Sequence, residues 1–325
     1  MPNSGMELCK RHIRTNKELL QVYVYRSTKE GTVVTRILVL GAEGMLGGAI
    51  LNYLSSRNSY VVVGTARTKK KDKRPLRSFL RTDTEVIYDV DASNVEHFIK
   101  VSKVFKPDVI INCIGIRQNP RSPSESSKLI EANSLWPHRL AEIGACLKAR
   151  IIHFSTDAVF SGLRGQYRED DSPDPIDSYG RSKLLGELSH SNCLTLRTSI
   201  IGRSDSNSGQ LLDWLTRQKS PVDGYEKSIF SGLTTLEIAR ILETKVLDRA
   251  DLSGVWHVAS SPISKFELLR LVSERFHLGI TINPIQGPAR DLSLDASMFN
   301  SVTGYTAPNW DELINDFYEF EYFTG

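Results

Sequence analysis

Short apolar runs alternate with longer amphipathic segments over much of the chain. The runs are continuous and rich in Val and Ile, which is typical of parallel strands buried on both faces. Seven strands are therefore predicted: RILVLG (36–41), YVVVGTA (60–66), EVIYDV (85–90), DVIINCIG (108–115), RIIHFST (150–156), CLTLRTS (193–199) and GVWHVAS (254–260). Helical periodicity lies between the early strands, at 44–56, 94–105, 127–148 and 179–190. This alternation predicts an α/β fold with a doubly wound parallel sheet.

The alternation of strands and helices ends after Ser199, and 202–210 is a turn-rich loop. Helical patterns then follow, with few strands, near 210–218, 235–248, 264–276 and 310–319. We predict a Rossmann-type domain over 35–199, to which 232–260 returns, and a smaller mixed substrate domain over most of 200–325. Residues 1–34 are assigned to an N-terminal extension, for which a disordered tail, an added strand and translation from an upstream start all stay open.

Composition narrows the class of protein. The 325 residues are 40% hydrophobic and 24% charged, with a net charge of +3, which is too weak to indicate a nucleic-acid partner. The four cysteines are widely spaced, so neither a disulfide framework nor a metal site is expected. No apolar stretch approaches the roughly 20 residues that span a bilayer, and the N-terminus lacks a signal-like apolar stretch. We expect a cytoplasmic protein without a membrane partner.

A glycine-rich turn follows the first predicted strand. VLGAEGMLGGAI carries Gly41, Gly44 and Gly47 between that strand and the first helix. A tight turn, close approach of a phosphate and close packing of helix on strand each require a residue without a Cβ. The helix N-terminus then offers free N–H groups to a pyrophosphate. The loop predicts a dinucleotide site, and the alternative is a merely tight strand–helix turn.

The next two strands end in residues that bear on cofactor choice. Arg67 follows the second strand, where an acidic residue would hold the ribose hydroxyls of NAD. A guanidinium instead suits a 2′-phosphate, so NADP(H) is favoured over NAD(H). Asp89 follows the third strand and is placed to accept from the adenine amino group, although a helix cap or turn residue is an equal alternative.

The stretch DSYGRSKLLGE places Tyr179 and Lys183 four residues apart, on one face of a predicted helix. A nearby cation is expected to lower the tyrosine pKa, so that the phenol exchanges a proton with a carbonyl oxygen near neutral pH. Ser155, Thr156 and Asp157 follow the fifth strand and supply candidates for a third group. Another Tyr-x-x-x-Lys pair, Tyr25 and Lys29, precedes the glycine turn and is expected to have no function.

Taken together, these motifs resemble the extended short-chain dehydrogenase/reductases, and within them the dTDP-4-dehydrorhamnose reductase family. The resemblance runs from about Arg36 to Trp310. Besides the glycine turn, it rests on STDAVFSG, YGRSKLLGE, INCIG, EANSLWPHRLAE, LTLRTS, GLTTLEIARIL, GVWHVAS and ARDLSLDASMF. It implies NADPH-dependent reduction of the C4 ketone of a nucleotide-linked 4-keto-6-deoxy sugar, in deoxysugar or polysaccharide biosynthesis. A homodimer is plausible from the family.

The resemblance also implies roles for individual residues. Tyr179 would protonate the substrate oxygen, Lys183 would lower its pKa and hold the ribose, and Thr156 would hydrogen-bond that oxygen. Arg290 would face the diphosphate of the substrate. Apart from the resemblance, Asp157 is a substrate candidate from its place after the fifth strand. Arg117 follows the fourth strand into the cleft, where substrate contact and an ordinary polar loop both stay open. The implied cofactor site comprises Gly41, Gly44, Met45, Leu46, Gly47, Arg67, Asp89, Val90, Cys113, Ile114, Gly115, Asn133, Tyr179 and Lys183.

Four departures from the family pattern lie on the substrate side: Ala158, Ile200, Asp291 and the segment SIFSGLTT (228–235). They leave the sugar open. Two other functions also stay open, a sugar-nucleotide epimerase and a non-catalytic nucleotide-binding regulatory subunit. His153 and His257 lie inside apolar strands and are interpreted as core histidines with satisfied hydrogen bonds.

Overall fold

The computed structural model describes residues 34–68, 84–92, 94–117, 120–203, 210–219 and 221–323. The seven strands of the main sheet are β1 (Thr35–Leu40), β2 (Tyr60–Thr65), β3 (Glu85–Ile87), β4 (Val109–Asn112), β5 (Arg150–Phe154), β6 (Cys193–Arg197) and β11 (Gly254–His257). Shorter strands are β7 (Ile200–Ile201), β8 (Val222–Tyr225), β9 (Ser228–Phe230), β10 (Leu233–Thr234), β12 (Ile263–Ser264), β13 (Ile282–Ile285) and β14 (Arg290–Asp291).

Helices cover the sheet and build the second half of the chain. The α-helices are α1 (Met45–Ser55), α2 (Val95–Phe105), α3 (Pro123–Ile130), α4 (Trp136–Leu147), α5 (Ser178–Leu185), α6 (Leu211–Leu215), α7 (Thr235–Ile241), α8 (Lys265–Arg275), α9 (Ser297–Thr303) and α10 (Trp310–Phe323). Two π-helical turns, Glu131–Leu135 and Leu242–Val246, follow α3 and α7, and a 3₁₀ turn spans Asp157–Val159.

All neighbouring strands of the main sheet run parallel, in the order β11-β6-β5-β4-β1-β2-β3. The chain builds outward from β1 through β2 and β3, then crosses to β4 and builds in the opposite direction. The carboxyl ends of β1 and β4 therefore flank a topological switch point, where open α/β sheets bind ligands. The prediction of an α/β fold with a doubly wound parallel sheet is confirmed.

Strand residues bury both faces of the sheet, as their continuous apolar sequence predicts. Ile37 and Val39 of β1 pack into one apolar layer with Ile50 of α1, whereas Leu38 and Leu40 pack into the opposite layer. This alternation follows from the two-residue period of a strand. The first layer continues through α7 and α10, so the second half of the chain shares a core with the sheet.

The prediction of few strands after Ser199 was wrong. β7, β8, β9, β10, β12, β13 and β14 form three small sheets beside the main one, ordered β10-β7, β12-β9-β14 and β13-β8. Each of these strands has only two to four residues, too few for a periodic pattern to be visible. The helix predicted over 127–148 is interrupted by the first π-helical turn, and the one predicted over 179–190 ends at Leu185.

Residues 1–33, which hold most of the predicted N-terminal extension with Tyr25 and Lys29, lie outside the described residues. In the described ranges, no three His, Cys, Asp or Glu side chains are grouped so that they could hold a metal ion. No helix of those ranges has the length and apolar character needed to cross a membrane.

Candidate active site

The glycine turn has the backbone geometry of a phosphate cradle. Gly41 has a φ of +78°, and a Cβ on it would lie 3.3 Å from the Cys113 carbonyl group. A Cβ on Gly47 would lie 2.3 Å from the Gly41 oxygen, so the helix approaches the strand end more closely than a side chain permits. Gly44 caps α1 without a side chain, and the first turn holds no acidic residue. The Ala42 and Gly44 N–H groups donate to the Thr65 and Gly41 carbonyls, so the first N–H groups of the helix, at Met45 and Leu46, are the ones left for an anionic ligand.

The ends of β2 and β3 are joined by backbone hydrogen bonds beside this turn. The Val90 amide donates to the Ala66 carbonyl at 3.0 Å, and the Asp89 amide donates to Thr68 at 3.2 Å. Asp89 has a left-handed backbone, with a φ of +64°, and an exposed side chain. Arg67 is also exposed. Both side chains therefore stand at the rim of the crevice, and their cofactor contacts stay predictions.

Asn133 fixes the segment that follows β4. It lies on the first π-helical turn, and its Oδ1 accepts from the Ile116 amide at 2.8 Å. Its Nδ2 donates to the Ile116 carbonyl at 2.7 Å and to Ser182 Oγ, on α5, at 3.0 Å. Because the whole amide is engaged inside the protein, the geometry favours Asn133 as a clamp between Cys113–Ile116 and α5 over direct cofactor contact.

The end of β5 brings Thr156 to Tyr179. The Thr156 hydroxyl caps the 3₁₀ turn by accepting from the Ala158 amide at 3.2 Å, and it donates to Asp157 Oδ1 at 3.1 Å. The side chains of Thr156 and Tyr179 are hydrogen-bonded to each other. Asp157 is buried and is hydrogen-bonded to Ser199 as well as to Thr156, so its carboxylate fixes the position of the Thr156 hydroxyl. Burial raises the pKa of Asp157.

The pKa of Tyr179 shifts against expectation. Burial raises the pKa of the phenol, and the nearby Asp157 carboxylate adds to the effect, whereas the hydrogen bond between Tyr179 and Thr156 opposes it. The largest cationic contribution comes from Arg117 and not from Lys183. The net pKa of Tyr179 is thus raised, and the lowering effect of Lys183 stays a prediction. Phenols lose their proton less readily when water is removed from around them.

Lys183 is buried at the bottom of the same crevice. Its Nζ donates to the Phe154 carbonyl at 2.6 Å and would lie 3.9 Å from a Cβ placed on Gly115. Burial lowers the pKa of Lys183 from 10.5 to about 8, and the Glu187 carboxylate opposes this shift. Gly115, at the end of the segment after β4, thus lies beside the amine.

A buried ion pair anchors the end of α5. Arg197 of β6 donates through Nε and Nη2 to the two oxygens of Glu187, at 2.8 and 2.7 Å. Ser155 Oγ donates to the same carboxylate at 2.6 Å. Glu187 lies one turn beyond Lys183, so the pair ties the catalytic helix to the ends of β5 and β6. The sequence analysis did not identify it.

Three cations converge on the substrate side of the crevice. Arg290 Nε donates to the Ser161 carbonyl at 3.1 Å, while its Nη2 is buried without a hydrogen-bond partner among the described residues. Arg117 Nη1 donates to Gln210 Oε1 at 2.9 Å. Lys265 remains exposed, yet burial of its ammonium lowers its pKa, and Arg117 and Arg290 add to the effect.

Lys265 was missed by the sequence analysis. β12 and β14 both pair with β9, with Ser264 and Asp291 opposite the same residue, Ile229. Lys265 follows the first of these and Arg290 precedes the second, so the two cations meet at one end of the small sheet. A lysine in the first turn of a helix opposes the helix dipole, and that was the available signal.

Comparison with known proteins identifies the family. A family model described as the RmlD substrate binding domain matches residues 35–321. The probable low-salt glycan biosynthesis reductase Agl14 of Haloferax volcanii is 28% identical over 232 residues, 68% of this chain and 73% of its own length. Methionine adenosyltransferase 2 subunit beta of Mus musculus is 31% identical over 311 residues, 86% of this chain and 89% of its own length.

Solved structures agree with the fold. A hypothetical dTDP-4-dehydrorhamnose reductase from Sulfolobus tokodaii is 26% identical, with a TM-score of 0.67 over 85% of this chain and 98% of its own. The dTDP-4-dehydrorhamnose reductase of Bacillus anthracis, in complex with NADP, is 22% identical, with a TM-score of 0.70 over 88% of this chain and 99% of its own.

The predicted family and its class, an oxidoreductase family, are thereby confirmed. The crevice brings together Gly41, Gly115, Thr156, Tyr179 and Lys183, in agreement with that assignment. From its sequence match and its fold, this chain belongs to the RmlD substrate binding domain family of the extended short-chain dehydrogenase/reductases.

Proposed function

We propose that the protein uses NADPH to reduce the C4 ketone of a nucleotide-linked 4-keto-6-deoxy sugar. The observation that carries this proposal is the hydrogen-bonded pair of Thr156 and Tyr179, beside the glycine turn at the switch point. The Agl14 relative, a probable glycan biosynthesis reductase by name, supports a role in glycan synthesis. The cytoplasmic location and a homodimer stay part of the prediction.

The chain offers a complete cradle for the cofactor. Gly41, Gly44 and Gly47 leave space for the pyrophosphate, and the N–H groups of Met45 and Leu46 begin the helix that faces it. Arg67 at the rim suits the 2′-phosphate that separates NADP from NAD, and the Bacillus anthracis reductase was solved with NADP. Asp89, Val90, Cys113, Ile114 and Gly115 would line the remaining edge. When bound, NADPH supplies the hydride that adds to the ketone carbon.

Proton transfer falls to Tyr179. The raised pKa of its phenol keeps the proton in place until a substrate oxygen with developing negative charge lies beside it. Thr156 bonds the phenol. If its hydroxyl hydrogen, which donates to Asp157 Oδ1, turns to the same substrate oxygen, it orients the carbonyl. Lys183 lies beside Gly115, where its amine can reach a ribose hydroxyl. As an ammonium it also places a positive charge near the phenol.

The cationic side of the crevice suits a substrate that carries a diphosphate. Arg290, Lys265 and Arg117 bring three positive charges close together. The carboxylate among them belongs to the buried Asp157, which is already bonded to Thr156 and Ser199. The buried Nη2 of Arg290, which has no hydrogen-bond partner in the part of the chain that the structure describes, is the kind of group that an anionic ligand satisfies.

The test is a panel of 4-keto-6-deoxy sugars carried on dTDP, UDP and GDP. At least one should cause stoichiometric loss of NADPH absorbance. Tyr179→Phe should slow turnover by roughly 10²–10⁴-fold while binding NADPH as the wild type does. Catalytic interconversion of sugars without net NADPH consumption would instead identify an epimerase.

A regulatory subunit is the second candidate, and one observation favours it. The Mus musculus relative covers 86% of this chain and is named as a subunit of a methionine adenosyltransferase. A non-catalytic subunit would retain the nucleotide fold and act through a partner. If Tyr179→Phe left the biological activity of the protein intact in cells, and no sugar nucleotide consumed NADPH, this second function would replace the first.

A further inference from the structure

A histidine and an asparagine lie behind the Lys183 amine. His153 and Asn112 are both 0% exposed and occupy neighbouring strands, β5 and β4, in register with each other. Asn112 Nδ2 lies 3.0 Å from His153 Nδ1, and Lys183 Nζ lies 3.5 Å from His153 Nε2. At the other end, the Ile114 amide donates to Asn112 Oδ1 at 3.2 Å. The four groups form one chain of contacts that ends at the catalytic lysine.

The donor and acceptor roles along these contacts are fixed by the Ile114 amide. An amide N–H can only donate, so Asn112 must present its oxygen to Ile114 and its NH₂ to His153. The Nδ1 of His153 therefore accepts. Burial lowers the pKa of His153 well below its ordinary value, so the ring is neutral. A neutral imidazole has one N–H, which must then be on Nε2, facing Lys183.

The Nε2–H group distinguishes the two forms of Lys183. An ammonium has only donors, and it would meet the Nε2–H donor to donor. An uncharged amine has a lone pair that accepts from Nε2–H, while its own hydrogens still donate to the Phe154 carbonyl. The other groups that act on this amine are Glu187, which favours the ammonium, and Cys113, whose thiol is kept protonated by burial.

We propose that His153 is a positioning residue whose Nε2–H donates to Lys183 Nζ and favours the uncharged amine while the crevice holds no cofactor. Only the consequence for NADPH binding rests on the proposed function; the contact between His153 and Lys183 does not. NADPH brings phosphate charges and a ribose hydroxyl that accepts, both of which favour the ammonium. Cofactor binding should then be accompanied by uptake of a proton from solvent at Lys183.

The direct test needs no catalysis and no cofactor. Trace labelling of the protein with acetic anhydride across a pH series, read by peptide mass spectrometry, gives the midpoint of Lys183 reactivity. The wild type should show a midpoint near 8. His153→Phe removes the donor and should raise the midpoint by roughly one pH unit, the size of one hydrogen bond.

A second variant reverses the donor and acceptor roles along these contacts and keeps His153 in place. In Asn112→Asp, the carboxylate accepts from both the Ile114 amide and His153 Nδ1, so Nε2 becomes an acceptor for the ammonium, and the midpoint should again rise. His257→Phe is the matched control, because this buried histidine contacts Tyr167 and Arg197, and it should leave the midpoint unchanged. A wild-type midpoint near 10.5, or no rise in either folded variant, would overturn the proposal.

Calorimetry separates this inference from the proposed function. NADPH titrations at pH 8.5, in buffers of different ionisation enthalpy, report proton uptake. Uptake in the wild type that falls in His153→Phe supports the inference. Binding without uptake contradicts the inference alone, whereas the absence of any NADPH binding contradicts the proposed function, and the labelling result stands apart from both.

Discussion

At the scale of single residues, the burial of Lys183 lowers the stability of the folded protein. The amine is 5% exposed, and holding its pKa at about 8 instead of 10.5 disfavours the charged form inside the protein. The unfolded chain keeps the ordinary value. At neutral pH the folded state therefore carries a charge that it stabilises less well than water does, by about 3 kcal/mol.

Replacing this lysine should stabilise the protein while abolishing its activity. We expect Lys183→Met to raise the free energy of unfolding at pH 7 by about 1–2 kcal/mol, after loss of the bond to Phe154 is set against relief of the charge. The gain should be complete below pH 8 and disappear as the pH rises toward 10.5, where the lysine is uncharged in both states. Urea unfolding across that range, with the exposed Lys100→Met as control, measures it, and a destabilised variant at pH 7 would contradict the account.

Arg67 carries the prediction of cofactor choice. The guanidinium is expected to bind the 2′-phosphate that NADPH has and NADH lacks. Arg67→Ala should therefore weaken the binding of NADPH by roughly ten- to a hundredfold, or about 1.5–3 kcal/mol. NADH affinity should change little. Titration of both cofactors with the wild type and the variant decides the matter, and equal weakening of the two would show that Arg67 does not read the phosphate.

At the scale of elements, α5 is held by contacts that lie outside its own eight residues. A Cβ on Gly186 would lie 1.9 Å from the Asn133 carbonyl, so the π-helical turn approaches the end of this helix at backbone distance. Ser134 Oγ donates to the Ser182 carbonyl at 2.8 Å. Interruption of a helix by a π turn is frequent at functional sites, and here it brings Asn133 and Ser134 onto the catalytic helix.

The buried ion pair at the end of α5 should be expensive to break. Arg197 and Glu187 have side chains only 5% and 8% exposed, so Glu187→Gln would leave the guanidinium without its counter-charge. We expect a loss of about 3–5 kcal/mol in unfolding free energy. The exposed pair Lys100–Glu96 provides the control, since Glu96→Gln should leave stability almost unchanged. Similar effects of the two substitutions in urea unfolding would refute the anchoring role.

Element prediction from the sequence succeeded where runs were long and continuous. All seven predicted strands of the main sheet are present, because short continuous apolar runs rich in β-branched residues favour strands buried on both faces. The short strands β9, β12 and β14 were not predicted, because their pairing depends on partners distant in the chain. Lys265 was missed for the same reason, since only this pairing brings it to Arg290.

At the scale of the whole molecule, buried histidines link stability to pH. His257 is 0% exposed; its Nδ1 contacts the Tyr167 carbonyl at 2.9 Å, and its Nε2 contacts Arg197 at 3.3 Å. Burial, followed by the charge of Arg197, lowers the pKa of His257 from 6.5 to about 4. A proton on this ring would create a second buried cation beside the first.

Acid should therefore destabilise the fold through His257. The unfolded chain takes up a proton as the pH falls through 6.5, while the folded protein takes it up only near 4. The wild type should lose up to about 3 kcal/mol relative to His257→Phe between those two values, and no more below them. Urea unfolding of both proteins from pH 7 to pH 4 gives the difference, and a difference independent of pH would contradict the assigned pKa.

The central claim concerns the whole crevice, and one isotope experiment tests it most directly. NADPH carrying deuterium on the hydride-donating carbon is incubated with the protein and a nucleotide-linked 4-keto-6-deoxy sugar, and the product is examined by mass spectrometry and NMR. The account predicts one deuterium per sugar, at C4, with loss of the label in Tyr179→Phe. A wild-type protein that binds both ligands yet transfers no deuterium to C4 would contradict it.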